Sequence, residues 1–165
     1  MKQSDHPLYK DLYHRAPYLL LDEVIEADKN YLMAQVKLRG DEFFFQGHFP
    51  HAPVLPGALM QEMTTQAAGV LIARFYNPIE DYDTDNFDPE RPALGVLSRV
   101  KGAKYKTFAK PGDTLEIKIK VIEKVADNIE FVGTIEKRSG EKPASELVMK
   151  NSFVLTNTPA KNLMS

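Results

Sequence analysis

The sequence of 165 residues contains no cysteine. This absence excludes disulfide bonds, thiolate metal ligands and a cysteine nucleophile. An excess of one charge is also missing, because 21 Lys and Arg residues are balanced by 23 Asp and Glu residues, for a formal net charge of −2. A near-neutral balance gives no indication of a nucleic-acid partner.

Long apolar runs are missing as well. The longest run, residues 67–73, is too short to cross a bilayer. Residues 1–6 are polar and do not resemble a signal peptide. The hydrophobic content of 43% is nevertheless enough for a buried core. We therefore expect a globular cytoplasmic protein without a membrane partner.

The hydrophobic pattern predicts one helix among several strands. Apolar residues recur at helical spacing from Gly57 to Phe75. Residues alternate between apolar and polar at strand spacing elsewhere. The predicted strands cover residues 19–25, 31–38, 93–105, 115–121, 129–136 and 144–155.

One long helix followed by consecutive strands predicts an α+β protein with the hot-dog fold, in which an antiparallel sheet wraps around a central helix. We find no linker, so residues 1–165 are predicted to form one domain, with a flexible tail from about residue 156. A sheet with a free edge strand tends to pair with a second copy, so we expect a homodimer.

The segment Gln46–Gly57 places a histidine on a proline-rich loop directly before the helix. Prolines at positions 50, 53 and 56 restrict the backbone around His48. Imidazole titrates near neutral pH, so His48 is a candidate general base. Gly57 opens the helix, where free N–H groups and the helix dipole favour a developing negative oxygen. The Gly57 N–H is therefore a candidate oxyanion donor.

The helix supplies a candidate acid. Glu62 would protonate a departing β-hydroxyl group if it faces the same site as His48. Gln66 lies one turn beyond Glu62 and is close enough to orient it. A base, an acid and an oxyanion donor together would suit removal of water from a β-hydroxy thioester.

Simpler interpretations stay open on spacing alone. His48 could be a structural or exposed histidine, and the proline-rich segment a rigid connector. Residues 61–66 could form the solvated face of the helix. His48 and His51 could bind a metal, although no third ligand is evident.

A longer motif narrows these interpretations. It reads Gly47-His48-Phe49-Pro50-x-x-Pro53-Val54-x-Pro56-Gly57-x-Leu59-x-x-Glu62-x-x-x-Gln66-Ala67. It resembles the signature of the 3-hydroxyacyl-(acyl carrier protein) dehydratases. The carboxylate of the motif, Glu62, is Glu and not Asp, which is similar to the FabZ type of this family and unlike the FabA type. The segments around His14-Arg15-x-Pro17 and Pro111-Gly112-Asp113 are similar to the same family.

The resemblance implies a fold, a reaction and a set of site residues. It implies a hot-dog dimer that dehydrates (3R)-3-hydroxyacyl thioesters in fatty acid biosynthesis, with His48 and Glu62 as the catalytic pair from opposite subunits. The implied oxyanion and substrate-binding residues are Gly57, Pro56, Val54, Phe49 and Gln66. It also implies no metal, no other cofactor, a substrate carried on acyl carrier protein, and assembly as a dimer or a trimer of dimers.

The chain departs from this family in three places. His51 stands where the family has a small residue, often glycine. Arg99 and Lys101 replace small, acidic or polar residues. Residues 77–92 form an acidic insertion, which we interpret as a solvated flap over the acyl tunnel. Its stretch 81–86 is similar to a calcium loop but lacks the required glycine and final glutamate.

Three functional classes stay open. The first is the dehydratase, either of primary fatty acid synthesis or of a specialised lipid or polyketide pathway. The second is a hot-dog thioesterase that cleaves the same thioester. The third is a non-catalytic module that binds acyl thioesters. Basic residues at positions 99, 101, 104, 106 and 110 would meet an acidic carrier protein, although they do not all share one face.

Overall fold

A computed structural model describes residues 6–77, 79–80, 82–85, 88–90, 92–140 and 144–164. The side chains of residues 92–94 and 163 are outside this description. The elements are β1 (Glu23–Ala27), β2 (Tyr31–Lys37), α1 (Gly57–Phe75), β3 (Pro92–Tyr105), β4 (Asp113–Val125), β5 (Asn128–Ser139) and β6 (Glu146–Pro159). Short 3₁₀ helices cover Pro7–Lys10 and Ala160–Leu163.

The six strands form one antiparallel sheet in the order β1-β2-β4-β5-β6-β3. The register aligns the apolar faces of neighbouring strands: Leu32 lies opposite Ile119, Ala34 opposite Ile117 and Val36 opposite Leu115. All six side chains are buried. This register explains why the alternating pattern of β2 and β4 predicts their inward faces correctly.

The helix α1 lies against the inward face of the sheet. Its bounds are those that the sequence predicts, and it contacts five of the six strands, β2 to β6. Met63, Val70 and Leu71 are buried on α1, and Phe131 and Phe153 are fully buried on the sheet. Full burial of each such side chain stabilises the fold by about 1.5–3 kcal/mol. The prediction of an α+β hot-dog architecture is confirmed.

Several predicted strand boundaries are wrong. The strands β4 and β5 run on to Val125 and Ser139 rather than ending at residues 121 and 136. The first strand begins at Glu23 rather than Leu19. The backbone groups of the preceding residues form hydrogen bonds with a side chain instead of with a neighbouring strand. The Leu20 N–H donates to Gln66 Oε1 and the Tyr18 carbonyl accepts from Gln66 Nε2, each at 2.8 Å. The last strand runs to Pro159 rather than Leu155, since residues 156–159 pair with β3. The predicted flexible tail from residue 156 therefore starts within a strand. That residues 1–165 form a single domain stays a prediction.

The strand β3 forms one edge of the sheet. It pairs with β6 on one side only. Residues 97–106 are all exposed, so most of β3 buries neither face within one chain. Leu97, Val100 and Tyr105 are large apolar residues among them.

The helices in the described ranges include none that is long and apolar enough to span a bilayer.

Candidate active site

The proline-rich loop fixes the ring of His48. Its Nδ1 lies 2.9 Å from the carbonyl oxygen of Val54, and the Val54 N–H donates to the His48 carbonyl at 2.9 Å. Because a carbonyl oxygen only accepts, Nδ1 carries the hydrogen and Nε2 of the neutral ring has the free lone pair. The ring also stacks on Phe49 with centroids 4.2 Å apart. The loop therefore leaves Nε2 as the ring nitrogen that is free to accept a proton.

The first turn of α1 presents a free N–H group beside this loop. Pro56 is the N-cap and provides no side-chain cap, while Leu59 and Met60 both donate to its carbonyl. The Gly57 N–H has no hydrogen-bond acceptor among the described residues. A group of this kind, at the positive end of a helix dipole, suits a developing oxyanion.

His48 and Gly57 line one cavity of about 310 Å³. The other lining residues are Phe49, Val54, Leu55, Met60, Tyr105, Lys106, Thr107 and Phe108. Four predicted site residues, at positions 48, 49, 54 and 57, thus share this cavity. Pro56 adjoins it as the N-cap.

Glu62 has other close partners within one chain. Gln66 Nε2 donates to Glu62 Oε1 at 2.9 Å, and His14 Nε2 lies 3.5 Å from the same oxygen. Gln66 is fully buried and also bonds the backbone of residues 18 and 20. Its polar atoms are thus already engaged, and one of them holds Glu62. A contact of Gln66 with the substrate stays a prediction. Glu62 is not among the residues that line the cavity at His48.

His14 is a neighbour of Glu62 that the spacing of the sequence does not reveal. Its Nδ1 is buried without a hydrogen-bond partner among the described residues. Burial lowers the pKa of His14, and the nearby Glu62 carboxylate raises it by less. His14 is therefore neutral at a lower pH than an exposed histidine. Its place in the His14-Arg15-x-Pro17 motif is the only sequence signal for a role.

Tyr105 is a second neighbour. It belongs to the segment Ala103-Lys104-Tyr105-Lys106, which is similar to the family, but the sequence assigns it no role in the site. Its hydroxyl donates to the Gly57 carbonyl at 3.2 Å. A Cβ atom at position 57 would lie only 3.1 Å from its ring. Any larger residue at position 57 would therefore push the Tyr105 ring aside by a few tenths of an ångström. Tyr105 is one of the cavity residues and stands at the end of the edge strand β3.

His51 has a left-handed backbone, with φ of 67°. Glycine adopts this conformation without a steric penalty, whereas other residues do so less readily. The glycine that the family resemblance leads us to expect here would fit this backbone without that penalty. His51 is exposed, and no group of three or more His, Asp or Glu side chains in the described ranges is placed to hold a metal ion.

The described part of the acidic insertion contacts the N-terminal segment. Thr84 is buried, and its hydroxyl donates to the Tyr9 carbonyl. Arg15 donates to the Thr84 hydroxyl at 3.2 Å and to Asp85 at 3.1 Å. The insertion is thus not wholly solvated. Two positions of the calcium-like stretch, 81 and 86, lie outside the described residues.

Comparison with known proteins identifies the family of this arrangement. Residues 12–138 match the model of the FabA-like domain. The chain belongs to the FabA-like family. The match spans the N-terminal segment, the proline-rich loop, α1 and most of the sheet, so every part of the site described above lies within it.

Curated relatives place the chain with the FabZ type of this family. The 3-hydroxyacyl-(acyl-carrier-protein) dehydratase FabZ of Thiobacillus denitrificans is 36% identical over 126 residues, which cover 76% of this chain and 81% of that protein. The enzyme of the same name from Protochlamydia amoebophila is 38% identical over 124 residues, which cover 70% and 72%.

Solved structures support the fold. A chain of the dehydratase heterocomplex ApeI:P from Xenorhabdus doucetiae is similar with a TM-score of 0.72 and 23% identity, over 96% of this chain and 95% of that one. A hypothetical thioesterase from Streptococcus pneumoniae, solved with coenzyme A, is similar with a TM-score of 0.56 and 14% identity, over 83% and 85%. Dehydratases and thioesterases share this fold, so the fold alone does not separate them.

Proposed function

We propose that this protein is an enzyme that removes water from (3R)-3-hydroxyacyl thioesters on acyl carrier protein and forms trans-2-enoyl thioesters in fatty acid biosynthesis. The observation that carries the proposal is the cavity that His48 and Gly57 share, because His48 has a ring nitrogen with a free lone pair and the Gly57 N–H has no acceptor among the described residues. The names of the curated relatives support the same reaction. We expect the enzyme to act in the cytoplasm.

The base and the oxyanion donor act on the same end of the substrate. With the thioester oxygen at the Gly57 N–H, the Cα hydrogen becomes more acidic because the enolate that forms is stabilised. His48 Nε2 takes this proton. The hydrogen bond from Nδ1 to Val54 holds the ring in place and stabilises the imidazolium that results. Tyr105 lies against Gly57 and lines the same cavity.

The acid acts on the departing hydroxyl group. As the Cα–H electrons form the Cα–Cβ double bond, the Cβ–O bond breaks and Glu62 gives its proton to the leaving oxygen, so that water departs. Gln66 and His14 hold Glu62 Oε1 and thus fix the direction of the carboxyl group. The two protein groups exchange protonation states, and the return of one proton restores the enzyme.

We infer a homodimer in which each site combines His48 of one subunit with Glu62 of the other. Within one chain, Glu62 turns to Gln66 and His14, and other residues line the cavity at His48. The strand β3 offers an unpaired edge with exposed Leu97, Val100 and Tyr105. Pairing of two such edges would cover them. A trimer of dimers stays a further expectation.

The carrier protein would dock beside the same edge. Lys106 lines the His48 cavity and is exposed, so it suits the phosphate of a phosphopantetheine arm. Lys104 is exposed on the neighbouring part of β3. Lys101 instead pairs with Glu130 within the chain and is less available. Lys106 and Lys104 are therefore our candidates for the acidic carrier.

The direct test uses 3-hydroxybutanoyl groups on acyl carrier protein. We expect the carrier-bound product to lose the mass of water, with formation of the enoyl thioester from the R isomer and not the S isomer. Free acid together with free carrier thiol, without enoyl product, would instead establish a thioesterase. Tight binding without either reaction would establish a binding module.

A further inference from the structure

A small cavity adjoins the acid side of the site. Its volume is about 40 Å³, which is space for only a few water-sized groups. His14 lines it, and the same side chain contacts Glu62 Oε1. Thr65 and Gly69 of α1 and Gly95 of β3 form further parts of its wall. The cavity thus lies between the helix, the edge strand and the segment that holds Glu62.

Two glycines in the wall of this cavity pack closely against neighbouring side chains. A Cβ atom at Gly69 would lie 3.1 Å from Leu12, and one at Gly95 would lie 3.2 Å from Ile72. Both distances are tighter than ordinary contacts, so the backbones and side chains there are already close-packed.

Tyr82 is the lining residue that comes from the acidic insertion. Its ring meets Tyr13 edge to face with centroids 5.9 Å apart, and its hydroxyl donates to the Asp11 carbonyl at 3.4 Å. Arg15 fastens the neighbouring Thr84 and Asp85 to the N-terminal segment. The insertion therefore brings a large aromatic ring to the cavity and holds it there.

We propose that Tyr82 limits the length of the acyl group, so that the enzyme acts on short-chain 3-hydroxyacyl thioesters. This inference rests on the proposed dehydratase function. His14 contacts Glu62 and also lines the small cavity that Tyr82 borders. An acyl chain that extended past Glu62 would reach this cavity, where the Tyr82 ring occupies the space that a longer chain would need. The acidic insertion would thereby set substrate size.

The test compares Tyr82→Ala with Tyr82→Phe, which keeps the ring and removes only the hydroxyl. Hydration of butenoyl, octenoyl and dodecenoyl pantetheine thioesters is measured for each protein. We expect the wild type and Tyr82→Phe to prefer butenoyl. We expect Tyr82→Ala to raise kcat/KM for dodecenoyl relative to butenoyl by about tenfold or more. Tyr82→Val serves the same purpose if Tyr82→Ala does not fold.

A binding measurement separates this inference from the proposed function. Butyl, octyl and dodecyl pantetheine thioethers do not react, and their affinities are measured by calorimetry. Absence of turnover at every length would contradict the dehydratase function. The affinities of the three thioethers would still show whether Tyr82 limits the length of the bound chain. Equal preference for all lengths in the wild type, or an unchanged preference in Tyr82→Ala, would overturn the role of Tyr82.

Discussion

His48 and His14 both lie near the amino-terminal half of α1, but their surroundings differ. His48 stands on the proline-rich loop, bonds the Val54 carbonyl through Nδ1 and lines a cavity of about 310 Å³. His14 stands on the N-terminal segment, has a buried Nδ1 without a partner among the described residues, and lines a cavity of about 40 Å³. The loop side has room for a substrate, and the N-terminal side is closely filled.

The difference indicates separate tasks for two histidines near one helix. The hydrogen bond at Nδ1 defines the tautomer of His48 and leaves Nε2 for proton transfer. His14 instead presents Nε2 to Glu62, and burial lowers its pKa. We therefore assign proton abstraction to the loop side and positioning of the acid to the N-terminal side. The predictions below test this division.

Loss of either reacting group is expected to have the largest effect. His48→Ala removes the base and Glu62→Gln removes the acid, and each is expected to lower kcat/KM for dehydration by about a thousandfold. The assay is formation of enoyl thioester from a carrier-linked 3-hydroxyacyl group. Glu123→Gln, an exposed position on β4, is the matched control and should retain full activity. Full activity of His48→Ala would contradict the assignment of proton abstraction to the loop side.

Substitution of His14 is expected to have a smaller effect of a different kind. His14→Phe leaves the carboxyl group of Glu62 with Gln66 alone, so we expect kcat to fall by about tenfold to a hundredfold with little change in KM. His14→Gln, which keeps a donor, should recover part of this loss. Equal losses in kcat for both variants would indicate a merely structural role.

The pH dependence of stability gives a second readout for the same variant. The unfolded chain protonates His14 near its ordinary pKa of 6.5, and the folded chain does so at lower pH because burial lowers the pKa. The free energy of unfolding is therefore highest above 6.5 and decreases as the pH falls through the folded pKa. Denaturant titrations should show that wild type loses more stability than His14→Phe on acidification. Parallel losses would contradict the buried, neutral state of His14.

The N-terminal segment is held to α1 by an ion pair. Asp11 is 7% exposed and accepts from Arg74 at Nε and Nη2, at 3.1 and 2.7 Å. Asp11→Asn is expected to destabilise the protein by about 1–3 kcal/mol. Hydrogen exchange should rise in residues 8–15 and stay unchanged in residues 46–57. Glu90→Gln, which breaks an exposed pair with Lys161, should change stability by less than about 1 kcal/mol.

The smallest expected effect lies on the loop side. His51→Gly removes the penalty for a left-handed backbone and is expected to stabilise the protein by about 0.5–1 kcal/mol. His51→Ala, which keeps the penalty and removes the ring, should not stabilise it. Chemical denaturation measures both. Equal stabilisation by the two variants would mean that the ring, and not the backbone, is the source.

Local patterns account for the parts of the fold that the sequence predicts well. The helix from Gly57 to Phe75 follows from its periodicity and from Pro56 before it. The inward faces of β2 and β4 follow from strict alternation. The start of β1 cannot be predicted from such a pattern. Leu20 is apolar enough for a strand, but its N–H donates to the side chain of Gln66.

The site divides in the same way. Its loop side is local in sequence, so a single motif brings together His48, Val54 and Gly57. Its N-terminal side depends on contacts between distant segments, such as His14 with Glu62 and Tyr82 with Asp11. Periodicity and spacing carry no information about such contacts. The partnership of His48 with Glu62 across subunits comes from family resemblance and stays a prediction.

The most direct test of the central claim is a mixed dimer that contains one His48→Ala subunit and one Glu62→Gln subunit, purified through two different tags. If each site joins His48 of one subunit to Glu62 of the other, one site of the mixed dimer is intact, and about half of the wild-type activity per dimer should return. If both groups act within one chain, every site lacks a catalytic group. Activity no higher than that of either single variant would contradict the account.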